Sequence, residues 1–87
     1  MLSITHAARV HIAELLADAG AHEVLRLSSG PDAVQITTDR VRIGDKTFYE
    51  GGRCILAIDQ MLLRTISGQI LDVEIVDGQP ALLLRSE

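Results

Sequence analysis

The 87-residue sequence has one cysteine, one phenylalanine, one tyrosine and no tryptophan. A lone cysteine, Cys54, excludes an internal disulfide. It also supplies a single ligand where a soft-metal site needs three or four. With Phe48 and Tyr49 the only aromatics, the core has to be aliphatic. No apolar run approaches the roughly 20 residues a membrane helix needs, so no membrane span is expected. The opening MLSITHAARV has neither a basic stretch nor an apolar one. No signal peptide is read from it, and a reducing, cytoplasmic setting is the expectation. Concentrated positive charge is missing too. Net charge is −4, and the basic residues are scattered, with Arg40, Arg42 and Lys46 interleaved with Asp39 and Asp45. A phosphate backbone demands a dense basic surface, so nucleic acid is not an expected partner.

What is present is enough for one core. Residues 1–87 make a single domain, and a chain this short buries roughly 65% of the surface its unfolded form exposes. Thr5 suits an N-cap, and Ala8, Ile12, Leu15 and Ala19 form one helical stripe that Gly20 is expected to end. The period then changes to two. Val24–Leu27 and Ala33–Thr37 read as a hairpin around Ser28-Ser29-Gly30-Pro31-Asp32, with Pro31 in a turn position. In RVRIGDKTFY, Gly44-Asp45 reads as a two-residue type II′ loop. That loop would pair Val41 with Phe48 toward the core and Arg40 with Tyr49 on the other face. Glu50-Gly51-Gly52-Arg53 is a turn, and CILAI is a strand. Asp59 caps a short helix, QMLLRTI, stopped by Gly68. Asp77-Gly78 closes a type I′ hairpin that pairs Leu71 with Leu84, Asp72 with Leu83, Val73 with Leu82 and Glu74 with Ala81. Leu83 lies on that hairpin's second face, to be covered by another layer or offered to a partner.

Chemistry is harder to find. His6 and His11 stand about 140° apart around their helix and cannot share a metal on it. His22 follows at the helix exit, and no Gly-x-Ser-x-Gly elbow occurs. Asp72 and Glu74, about 7 Å apart along one strand face, read as a solvated pair. The Gly51-Gly52 pair precedes a strand instead of a helix N-terminus, which argues against a phosphate cradle. Cys54 opens an apolar strand and reads as a small buried hydrophobe, its neighbour Arg53 being placed to favour a thiolate. No catalytic residue and no cofactor ligand emerges.

The order of elements is nonetheless familiar. ITHAARVHIAELLADAG, then EVLRLSSG, then YEGGRCILAIDQMLLRTISGQILDVEI resembles the HesB/IscA-like family of A-type iron–sulfur cluster carriers, over residues 4 to about 85. The resemblance implies an α+β fold: an N-terminal helix and a short second helix packed on antiparallel or mixed β-hairpins, forming a small sandwich or barrel. In the family, the loop after the second strand carries the first cluster cysteine directly after a Ser-Gly or Gly-Gly pair. Here Ser29-Gly30 are followed by Pro31. The family's Cys-Gly-Cys would follow the last strand, where this sequence reads Arg85-Ser86-Glu87. Cys54 matches no ligand position of the family.

The expectation is a degenerate carrier-like domain without cluster ligands and without a cofactor. Its role would be non-enzymatic: binding protein partners, components of iron–sulfur assembly among them, with homodimerisation suggested by the apolar last strand. The alternative is a metal or small-molecule carrier with other ligands, Cys54 plus a histidine, shared across a dimer.

Overall fold

Thr5 accounts for where the first helix begins. Its hydroxyl accepts the Ala8 amide at 3.1 Å and donates to Asp72 Oδ1 at 2.8 Å, while its own amide donates to the Leu71 carbonyl at 3.0 Å. One residue thus caps the helix and fastens it to a distant strand. In the computed structural model, which describes residues 2–86, the elements are β1 (Ser3–Ile4), α1 (His6–Leu15), β2 (Val24–Ser29), β3 (Val34–Asp39), β4 (Lys46–Glu50), β5 (Arg53–Ile58), α2 (Gln60–Thr65), β6 (Gln69–Val76) and β7 (Gln79–Ser86). The strands make two open sheets, β1-β6-β7 and β3-β2-β5-β4. Of the two expected alternatives, the closed barrel does not form.

Two pairings are parallel, β1 with β6 and β2 with β5, and the rest are antiparallel. The core draws on both sheets and both helices: Ala8, Ile12 and Leu16 beside α2's Leu62, with Leu25, Leu27, Leu56, Ile58 and Leu71 from the strands. Leu56 and Ile58 are fully buried, as the central position of β5 requires.

The structure corrects three local expectations. The buried stripe of α1 runs through Leu16, whereas Leu15 is 53% exposed. The helix also stops well short of Gly20. Bonds of the shorter i→i+3 kind, Ala17 to Glu14 and Ala19 to Leu16, tighten the chain after it. Gly20 has no left-handed φ. The exit is held instead by Arg53, whose guanidinium donates to the carbonyls of Leu16 and Gly20, each at 3.2 Å. Cations are favoured at a helix C-terminus, where carbonyls lack partners.

The third correction concerns RVRIGDKTFY. Residues 40–45 are a loop, and β4 pairs with β5 across Gly51-Gly52, both of positive φ as a type I′ turn demands. Asp45 donates its amide to the Arg42 carbonyl, which puts Gly44, at φ 88°, in the third position of a turn, where type II needs glycine. Val41 is 44% exposed and does not join Phe48, which packs on the core without it. The cation beside an aromatic ring is Lys46, 5.9 Å from the Phe48 centroid, in place of Arg40 over Tyr49. Three other local signals hold, while β2 runs on through Ser28 and Ser29, which the sequence had placed in a turn. Asp59 caps α2, Gly68 adopts φ 86° beyond it, and Asp77-Gly78 closes β6–β7 in the anticipated register.

Candidate functional site

β2 ends in the loop that the family resemblance singles out. Ser29 pairs with Val34, and the Gly30 amide donates to the Ala33 carbonyl at 2.8 Å, leaving Pro31 and Asp32 as the tip. A Cβ at Gly30 would sit 2.7 Å from that carbonyl and 2.7 Å from Gln35 Cγ, so only glycine fits. A cavity of about 340 Å³ lies between the loop and Leu62 and Thr65 of α2. An apolar groove beside it is lined by Ala33 and Val34 together with Leu82, Leu83 and Leu84 of β7. The loop and the end of the last strand therefore border one surface. Pro31 brings no donor atom to it, and Asp32 is, among the described residues, the one ionisable side chain lining the loop cavity.

Cys54 is elsewhere. Leu25 pairs with Leu56 in the parallel β2–β5 ladder, which sets Cys54 level with Glu23, at the start of β2. Gly30 is seven residues further on, about 23 Å at 3.3 Å per residue. A metal–thiolate bond is about 2.3 Å, so Cys54 cannot serve the loop of its own chain. The thiol is partly buried, 3.9 Å from the Leu56 carbonyl, and faces a shallow cleft shared with His22 and Arg40. Arg53 does not face it as a thiolate partner, being spent on the Leu16, Gly20 and Glu23 carbonyls. His6 is exposed at the start of α1 and His11 half-buried on it. Among the described residues, no three metal-binding side chains converge.

Asp72 is a structural carboxylate. It accepts the Val73 amide at 2.8 Å, the Thr5 hydroxyl at 2.8 Å and Arg85 Nε at 3.1 Å. These donors, the Val73 amide foremost, hold its pKa below the ordinary carboxylate value. Glu74 stays exposed, so the pair is not the shared solvated face expected of it.

The charge centre that sequence reasoning missed is Arg26. It sits in the middle of β2, 7% exposed, between Leu25 and Leu27. Asp45 of the 40–45 loop meets it with Nε–Oδ2 and Nη2–Oδ1 contacts of 2.8 Å, and Asp59 Oδ2 lies 3.7 Å away. The Arg26 hydrogen bond holds the Asp45 carboxyl below its ordinary pKa against the opposing effect of burial, helped by the Arg42 amide. Arg26 is raised in turn, chiefly by the same hydrogen bond. A buried charge is tolerable only when so paired. The signal in the sequence was an arginine inside VLRLS, a strand otherwise apolar on both faces.

Comparison with known structures bears on the whole arrangement. SufA of Escherichia coli, a protein involved in the biosynthesis of iron–sulfur clusters, superposes with a TM-score of 0.78 at 21% identity, covering 98% of this chain and 84% of that one. This is the A-type iron–sulfur carrier fold. IscA, solved with a [2Fe–2S] cluster, matches it with a TM-score of 0.63 at 17% identity, over 99% of this chain and 82% of its own. No family model matches the sequence, and no curated protein does either. The A-type carrier fold is thus present at low identity. The loop that the family resemblance equips with a thiolate carries Pro31.

Proposed function

We propose that this chain is a degenerate A-type carrier domain that acts by contact with other proteins of iron–sulfur assembly, without ligating a cluster and without catalysing a reaction. Pro31 carries the reading. It stands at the tip of the β2–β3 loop, directly after Ser29-Gly30, where the family places its first cluster thiolate, and its ring offers iron no donor. Fe–S clusters are held by cysteine thiolates, and the one cysteine of the sequence lies at the far end of the sheet. The residues present do not fit a cluster in the family's manner. What remains is a surface where the loop, the apolar groove and β7 meet. That surface suits a protein partner, a second copy of the chain included, in the cytoplasm.

The contact is tested by titrating fluorescently labelled chain with purified IscA, with and without its [2Fe–2S] cluster. Saturable binding that does not depend on iron is the expected result. If IscA does not bind, or if binding requires a cluster bridging the two, the adaptor role is wrong.

A second reading has one observation in its favour: Cys54 and His22 line the same cleft. Two copies meeting there would bring four donors together, enough for a soft metal. A Cys54→Ser variant that retains all bound metal eliminates it.

A further inference from the structure

A cavity of about 580 Å³ opens between α1, β4 and α2, within the range of small-molecule sites. Its walls are largely apolar: Leu2, 4% exposed, with Phe48 and Leu63. Thr47, Tyr49 and Ser67 also line it. Arg9, Lys46 and Arg64 stand around it, and no acidic side chain is among the described residues that line it. In a chain with 12 acidic and 8 basic side chains, three of the eight converge on one apolar hollow. Arg26, Arg42 and Arg85 are paired with Asp45, Asp39 and Asp72. Among the described residues, Arg9, Lys46 and Arg64 have no carboxylate partner. Arg9 is held in place by a 2.7 Å bond to the Tyr49 carbonyl, and Lys46 lies over the Phe48 ring.

From this geometry we infer a binding site for an amphiphilic organic carboxylate, its apolar body against Leu2, Phe48 and Leu63 and its head among the three cations. Charge complementarity selects an anion, since three like charges facing a low-dielectric wall repel one another until one arrives. The occupant is a small molecule and not an added strand. β4 is the edge of its sheet, but its Tyr49 carbonyl is already taken by Arg9, as edges guarded against pairing are. The site is also distinct from the β2–β3 loop surface. Leu62 and Thr65 of α2 face that loop, while Leu63 and Arg64 face the cavity.

Decanoate is the probe, titrated below its micellar concentration into the intact chain by calorimetry, with decanol and acetate as controls. Decanoate binds saturably at one per chain, decanol about tenfold weaker or worse, and acetate without saturation. Arg64→Ala and Lys46→Ala, both at exposed side chains, each weaken decanoate by about fivefold, the most an exposed ion pair supplies. Arg40→Ala, a cation on another cleft, leaves it unchanged. Absence of saturable decanoate binding overturns the inference. Equal affinity for decanol does so as well, as does an Arg40→Ala loss matching those at the cavity.

Discussion

The Asp45 carboxylate holds the Arg26 guanidinium through two hydrogen bonds of 2.8 Å, with 3% and 9% of the two side chains exposed. Nineteen residues separate them, and the pair pins the 40–45 loop across the four-stranded sheet. Ile43, fully exposed at the loop's tip, shows that apolar burial is not what holds it there.

Removing Asp45 leaves Arg26 charged and covered. Asp45→Ala is expected to lower stability by about 2–3 kcal/mol. That is less than the ~3–5 kcal/mol of a fully buried broken pair, because Asp59 remains 3.7 Å away. Urea unfolding of the variant measures it. An unchanged midpoint would mean that the loop is held by something else.

The same pair shapes the acid response. Asp39, Asp45 and Asp72 are all held below the ordinary carboxylate pKa, by the Arg40 amide, the Arg26 guanidinium and the Val73 amide respectively. A depressed folded-state pKa contributes stability above the unfolded value, roughly 3.9, and loses it as pH falls through the folded one. Arg26, raised, contributes below its ordinary value and costs nothing on the acid side. Stability therefore falls below about pH 4. Asp45→Asn is less stable at neutral pH and shows a shallower acid decline. Parallel acid limbs in the two proteins would contradict the assignment.

Thr5 couples α1 to β6 through the Ala8 amide and Asp72. Thr5→Ala forfeits both bonds, about 1–2 kcal/mol, and Thr5→Ser keeps most of that. Equal losses in the two variants would show that the methyl group, and not the hydroxyl, matters.

Gly20 and Gly30, on either side of β2, differ in the space around them. Gly30→Ala forces a Cβ onto the Ala33 carbonyl and costs about 1–3 kcal/mol. Gly20→Ala meets only the Glu23 side chain at 3.9 Å, with no positive φ, and is neutral or stabilising by up to ~1 kcal/mol. Thermal melts distinguish the two, and a harmless Gly30→Ala would remove the argument for a closed loop.

Local chemistry was legible in the sequence. Asp77-Gly78 dictates its own register, so every pair from Leu71–Leu84 to Glu74–Ala81 followed from the turn. Asp59 and Gly68 bracket α2 for equally local reasons. Gly44-Asp45 carried the same kind of signal and misled, because the Asp45 side chain answers to Arg26 in another strand. The end of α1 was misplaced in the same way: Arg53, more than thirty residues on, supplies the cap that Gly20 was assigned. The parallel β2–β5 ladder, which carries Cys54 away from the Pro31 loop, joins strands about thirty residues apart that no turn connects. Pro31 itself could be read from Ser-Gly-Pro, but the distance from Cys54 could not.

Iron and acid-labile sulfide per chain, measured after anaerobic reconstitution and desalting, test the central claim most directly. Lacking thiolates at the loop, the wild-type chain keeps neither in stoichiometric amount and has no visible cluster band, and Cys54→Ser behaves identically. Stoichiometric iron and sulfide that survive desalting would show that this scaffold grips a cluster after all.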